Sequence, residues 1–295
     1  MKRYRNYAAR SLVGFATAAL LSGNAATADA PSAETLAAAM KDRRVVLLGE
    51  VHDNGAQHAL RLAAVRLLVE SGARPAIAFE QFDRERQADI DRARREQPRD
   101  ADYLITAGGG AKSWRWEFYR PFVQLALDND LPIVAANLSR KDAMKLATDG
   151  WPAIFDANAQ KSLALEKLPD AFRVAHEQAV ATGHCDLLPK EALPAMARAQ
   201  IGRDLVLAQS IRPYIGSGVI LLAGNGHVRK DIGVPFWLAA DERKQAISVG
   251  LLEVGESLAP TVLAERFDVV MMTPAAERPD QCEELRKRFA PGPGR

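Results

Sequence analysis

The chain has 295 residues, is 48% hydrophobic and 26% charged, and carries a formal net charge of +2. That length suits one large domain or a domain with an insert. Four basic residues and one acid fall in the first thirty positions, so the remainder carries about one net negative charge. A near-neutral body gives no electrostatic footing for nucleic acid or for a membrane surface.

Residues 1–30 read as a secretory signal. Lys2, Arg3, Arg5 and Arg10 precede a short alanine-rich apolar run, Ser11 to Leu21, and Ala28-Asp29-Ala30 fits an A-x-A cleavage site with Ala26-Thr27-Ala28 as competitor. The run is too short to span a bilayer, and no cysteine stands near the cleavage site to take a lipid, so no stable membrane anchor is expected. Export points to the periplasm. In an oxidising compartment Cys185 and Cys282 are either a disulfide or two free thiols.

Ser32 to Lys41 has the pattern of an amphipathic helix. Strand one, Val45–Gly49, is apolar on both faces and leads into Glu50-Val51-His52-Asp53-Asn54, with His58 further on. Glu50 and His52 share a side in extended chain. Asn54 and Gln57 fit a capping box that opens a helix over about Ala56–Ser71. Strand two, Ala76–Phe79, ends in Glu80-Gln81-Phe82-Asp83, and Arg84–Arg95 reads as a solvated helix. Pro98 to Gly110 reads as loop. The aromatic block Trp114-Arg115-Trp116-Glu117-Phe118-Tyr119 precedes a helix to about Asp128 and serves either core packing or a pocket wall. Strand three, Leu131–Ala136, runs into Asn137.

From Asp142 to Arg212 the pattern is helical and strand-free, with helices over about Asp170–Ala181 and Lys190–Ile211. His176 and His184 lie in this stretch, and Gln200 and Asp204 share a helix face. Strand four, Gly218–Ala223, enters Gly224-Asn225-Gly226-His227-Val228-Arg229. Strands five and six are about Ala246–Leu252 and Val269–Thr273.

Helices alternating with doubly apolar strands predict an α/β fold with a mostly parallel sheet flanked by helices and a small helical insert. The expected layout is a sheet domain over 31–141 and 213–275, an insert over 142–212, and a loosely ordered tail over 276–295. In such sheets ligands bind beyond the carboxyl ends of the strands. Glu50, His52, Glu80, Asn137 and His227 should therefore share one edge. Carboxylates with imidazoles suit a divalent metal such as Mn, Co or Zn on Glu50, His52, His58 and His227. They equally suit metal-free acid–base work by Glu50, His52, Glu80 and His227. HExxH, GxSxG, GxGxxG and P-loop patterns are absent from the sequence.

The segments LLGEVHDNGAQH, AIAFEQFDRERQADID, WRWEFYRPF, LPIVAANLSR, RAQIGRDLVLAQSI and LLAGNGHVRKDIGVP occur in one order. In that order they resemble the ChaN-like haem-binding uptake family over roughly residues 43–240. The resemblance implies haem as cofactor, a pocket tied to homodimer formation, and iron acquisition by Gram-negative bacteria. The wider superfamily it resembles includes Tiki-type metalloproteases and erythromycin-esterase-like hydrolases, whose GE-x-H and G-x-x-H elements map onto Glu50, His52 and His227. A metal-dependent peptidase- or esterase-like hydrolase is thus the alternative to haem binding. The resemblance also implies a tyrosine on the iron, for which Tyr119 is preferred over Tyr103 and Tyr214. His184 is the second choice, and His176, Gln200, Asp204 and Arg229 are further cofactor-binding candidates. Unlike some ChaN-like lipoproteins, this signal region lacks the lipid-bearing cysteine.

Overall fold

In the computed structural model the chain is described over residues 31–256 and 258–289. The expected signal segment lies outside the described residues. Six apolar runs form one sheet: β1 (Val45–Leu48), β2 (Ala76–Asp83), β3 (Ile133–Asn137), β4 (Val219–Leu222), β5 (Ala246–Glu253) and β6 (Val269–Thr273). Every pairing is parallel, and the order is β3-β2-β4-β1-β5-β6. Parallel strands need crossover connections, which here are helical. All carboxyl ends therefore lie along one rim, where the strand-end polar residues gather.

The helices are α1 (Ala33–Met40), α2 (Gly55–Glu70), α3 (Gln87–Glu96), α4 (Ala101–Ala107), α5 (Trp116–Asp128), α6 (Arg140–Asp149), α7 (Ala157–Ser162), α8 (Asp170–Gly183), α9 (Leu193–Ile211), α10 (Asn225–Val228), α11 (Val234–Trp237), α12 (Ala240–Lys244), α13 (Pro260–Arg266) and α14 (Gln281–Phe289). Alternate strand residues feed two apolar layers. Val46, Leu48, Ile77 and Phe79 pack against α1, α2 and α5. Val45, Leu47, Ala76 and Ala78 face the C-terminal half of α9 through Leu207, Ala208 and Ile211. The N-terminal half of α9 instead joins a third cluster, with Leu146, Trp151, Phe155 and Phe172 around Ile201 and Leu205. One long helix thus belongs to the sheet at one end and to the helical stretch at the other.

Local chemistry departs from expectation at three places. Residues 98–110 do not form a plain loop: Asp100 caps the Tyr103 N–H and starts α4. Pro98 and the glycines at 108–110 only bracket that helix. Asn54 does cap α2, accepting from Gln57 N–H at 3.1 Å, but the reciprocal half of the capping box is missing. The Asn54 N–H donates to the Val51 carbonyl, and Gln57 Oε1 accepts from the Val51 N–H at 2.7 Å. Finally, β2 runs past Phe79 to Asp83, with a register shift between those residues. Glu80 therefore lies in an irregular strand end, not in a loop.

The segment after β6 carries α14. Cys282 in that helix is disulfide-bonded to Cys185, with the Cα atoms 5.5 Å apart. Among the described residues no helix is long and apolar enough to cross a membrane.

Candidate functional site at the strand ends

Side chains alternate between the two faces of a strand, and this divides the rim. Glu50 continues the face of Val46 and Leu48, toward α2 and α5. Glu80 continues the face of Ala76 and Ala78, toward α9. The carboxylates stand at the same end of the sheet but on opposite faces, each with its own partners.

The Glu50 cluster is dry, with the Glu50 and Arg61 side chains fully buried. Glu50 Oε1 accepts from the Tyr119 hydroxyl at 2.5 Å and lies 2.9 Å from His52 Nδ1. Glu50 Oε2 is ion-paired with the Arg61 guanidinium and is 3.2 Å from His58 Nδ1. Arg61 also donates to the Leu48 carbonyl, and its guanidinium lies 5.6 Å from the Phe122 ring centre. Burial lowers Arg61 to about 10, which leaves it cationic at neutral pH. Burial pushes the Tyr119 hydroxyl above its ordinary range, so it acts as a neutral donor. Burial also lowers His58 to about 4, so its ring is neutral. That ring stacks on Phe118 at 4.6 Å, and its Nε2 meets the His52 carbonyl at 3.1 Å.

In the Glu80 cluster His227 bridges two acids. Its Nδ1 is 2.6 Å from Asp204 Oδ1 on α9, and its Nε2 is 3.4 Å from Glu80 Oε1. Burial alone would depress this imidazolium, but Glu80 and Asp204 outweigh it and push His227 up to about 10. Burial would raise Glu80, yet the His227 charge and hydrogen bond, His52 and the Gly224 N–H hold it well below the usual carboxylate range. Burial raises Asp204 to about 6 against the pull of His227. Glu80 Oε2 accepts from Gly224 N–H at 2.8 Å, and Asn137 donates to the Glu80 carbonyl at 2.8 Å.

His52 connects the two halves. Its side chain is 47% exposed, and Trp114 meets it edge-on with ring centres 4.9 Å apart. A Cβ on Gly224 would lie 2.8 Å from His52 Cε1 and 3.0 Å from its Nε2. Glycine is required at this close approach. Gly224→Ala is expected to cost about 1–3 kcal/mol through overpacking and to move the His52 ring off Glu50. Histidine-ring NMR resonances report the displacement, and unchanged His52 resonances in a folded variant would contradict the contact.

The other sequence candidates lie apart from this rim or serve it indirectly. Tyr119 is fully buried, and its hydroxyl is spent on Glu50. Tyr103 donates to Glu96, and Tyr214 precedes β4, at the amino edge of the sheet. His176 is buried against Phe172 and bonds the Ile232 carbonyl, and burial lowers it to about 4. His184 ends α8 with its Nδ1 on the Val180 carbonyl at 2.8 Å. Asp204 enters the rim through His227. Gln200, one turn earlier on α9, is half-buried. Arg229 turns to Asp231 in a two-pronged ion pair.

The expected metal group is corrected. Glu50, His52, His58 and His227 do not converge as one ligand set. His227 belongs to the opposite face, and Arg61 already supplies the cation on Glu50. Among the described residues no group of three or more His, Cys, Asp or Glu side chains is arranged to hold a metal ion. Arg61 itself escaped the sequence reading. The signal was its place on the inward stripe of α2 with Gln57, His58, Ala64, Val65 and Leu68, where a buried arginine demands a buried acid.

An all-parallel sheet with helices on both faces, with its buried carboxylates at the carboxyl ends of the strands, defines an α/β protein with a strand-end site. The family model for haem-binding uptake proteins, Tiki superfamily, ChaN, matches residues 36–238, and the chain belongs to that family. A solved structure described as cofacial haem binding to ChaN of Campylobacter jejuni has the same fold. Its TM-score is 0.63 at 22% identity, covering 80% of this chain and 90% of that one. An erythromycin esterase, EreC, in its open conformation matches at a TM-score of 0.44 and 14% identity over 87% of this chain and 83% of that one. The type III effector HopBA1 matches at 0.46 and 11% identity over 84% and 95%. No curated protein sequence matches the chain.

Proposed function

We propose that this protein binds haem at the strand-end rim and serves haem or iron uptake in the periplasm as a homodimer. Family membership over residues 36–238 is the observation that carries the reading. Export is supported by the composition of residues 1–30, and the Cys185–Cys282 bond accords with an oxidising compartment.

Haem bound here would supply an iron that could take a nitrogen or oxygen donor from the protein. Among the described tyrosines, Tyr119 acts through Glu50 and is closed to solvent. His52 fits the donor role better. Its Nδ1 is held by Glu50, and a carboxylate on the second ring nitrogen is the usual means of orienting a ligating histidine. Arg61 and Tyr119 fix Glu50 in turn, and about half of the His52 side chain stays open to solvent, 47%. Trp114 offers an aromatic wall beside the imidazole.

Haemin titration of the purified mature protein tests the reading. A saturable, red-shifted Soret band at defined stoichiometry is expected. Absorbance that rises linearly, as for free haemin, would overturn it.

A further inference from the structure

The last described segment of the chain crosses the molecule in a way that binding alone does not require. β6 is one edge strand of the sheet, and the helical stretch follows β3, the opposite edge. From the end of β6, residues 274–282 return along the rim and finish on Cys185, directly after His184 and α8. They are fastened first to the loop that carries His52. The Pro274 carbonyl accepts from Asn54 Nδ2 at 2.9 Å. The Ala276 N–H donates to Glu253 Oε1 at 2.9 Å. Arg278 pairs with Glu253 at the end of β5 and, through Nε at 2.8 Å, with Asp53, the residue after His52. Asn54 in turn donates to Glu253 at 2.7 Å, so the loop and the segment share one buried acid.

The two fastenings differ in kind. The near one is a set of reversible hydrogen bonds and ion pairs centred on the buried Glu253 and the partly exposed Asp53. The far one is a single covalent bond. Cys185 and Asp186 both hold positive φ, 57° and 55°, a left-handed conformation that aspartate adopts readily and that a cysteine side chain adopts only at a cost. Neither cysteine is deeply buried, so a thiolate has access to the bond.

We propose that residues 274–282 are a redox-latched strap across the strand-end rim, closed by the Cys185–Cys282 disulfide and released at its far end by reduction. A dithiol reductant performs the step. One of its thiolates attacks a disulfide sulfur and forms a mixed disulfide, and the other protein sulfur leaves as thiolate and takes up a proton. The second reductant thiol then displaces the remaining cysteine, which leaves two protein thiols and an oxidised reductant. Freed of that tie, the 185–186 turn relaxes and the strap is held only by Arg278, Pro274 and Ala276. Those contacts then carry the strap and the His52–Asn54 loop alone, so both open more often than in the oxidised protein.

Hydrogen exchange on the folded mature protein, oxidised and after mild dithiol reduction verified by alkylation, tests the strap without any haem present. The expected result is exchange faster by at least several-fold in peptides covering 274–289 and 50–54, with the β1, β2 and β4 peptides unchanged. Cys185→Ser with Cys282→Ser should reproduce the reduced pattern, and Arg278→Gln added to it should extend it. Unchanged exchange after confirmed reduction would overturn the strap. So would uniform loss of protection throughout the sheet, which marks a staple of the whole fold instead of a latch. Because the readout needs no ligand, a haemin titration that fails leaves this result standing.

Discussion

Arg61→Ala is expected to cost roughly 3–5 kcal/mol of folding stability, because it strands a buried carboxylate. Glu50 and Arg61 are both fully buried, and Arg61 is the cation paired with Glu50 Oε2. Of the remaining partners, His58 and Tyr119 are neutral in the folded protein and do not replace that charge, and His52 is half open to water. Removing both charges should be milder than the sum of the single changes. In Arg61→Ala with Glu50→Ala neither ion is left unpaired, so a strongly sub-additive double-mutant cycle is expected. Urea unfolding at neutral pH measures all four corners. A loss below about 1 kcal/mol for Arg61→Ala, in the range of exposed pairs, would show that the cluster is wetter than the structure has it.

Acid should destabilise this protein from about pH 6.5 downward, through its buried histidines. His58 and His176 are both lowered by burial from 6.5 to about 4. A depressed histidine contributes stability that is fully present above its unfolded value. That stability is lost as pH falls from about 6.5 through about 4, because the unfolded chain then binds a proton that the folded state refuses. At 1.36 kcal/mol per unit each histidine accounts for roughly 3 kcal/mol. Glu80 adds a second acid-side loss. Its carboxyl is held below the usual range, so its contribution is present above about 4.5 and falls away below that. His227 acts in the opposite direction. Raised to about 10, it contributes fully below 6.5 and loses that contribution as pH rises toward 10. Asp204, raised to about 6, carries a penalty that is full above that pH and is relieved as pH falls toward 3.8, which offsets part of the acid-side loss. Stability should therefore peak near neutral pH. Urea midpoints should change little between pH 7.5 and 6.0 and fall between pH 6.0 and 4.5, and His58→Gln with His176→Gln should flatten that fall. A wild-type midpoint that holds steady from pH 7.5 to 4.5 would contradict the burial of both rings.

Much of this was legible in the sequence because the strands are buried on both faces and read as short unbroken apolar runs. The topology then follows from helices between parallel strands, and the strand ends show themselves as the places where Glu50, Glu80, Asn137 and His227 interrupt apolar chain. Residues whose role depends on a partner far away in sequence were harder to read. Arg61 looks like an ordinary charge within a helix until Glu50 is placed beside it. Asp204 was visible only as a polar residue on a helix face, 23 positions before the histidine it holds. Alternation along β1 and β2 also carried more information than the shared rim alone: Glu50 and Glu80 have opposite parity relative to their strands, which separates them by face. That parity is why the grouping of His227 with Glu50 as metal ligands did not survive.

The Asp100 cap was hidden by its setting. A proline before it and three glycines after α4 are strong loop signals, and seven residues of helix fit between them. Gln57 was misassigned within a correctly placed helix start, because the Val51 turn already satisfied the Asn54 N–H.

Placing haem on this rim depends most on His52, and one measurement reaches that directly: haemin affinity of His52→Ala beside wild type, from parallel Soret titrations. A changed band and binding weaker by at least tenfold, about 1.4 kcal/mol, are expected. A His52→Ala protein that takes up haemin with the wild-type spectrum and affinity would put the cofactor elsewhere on the molecule.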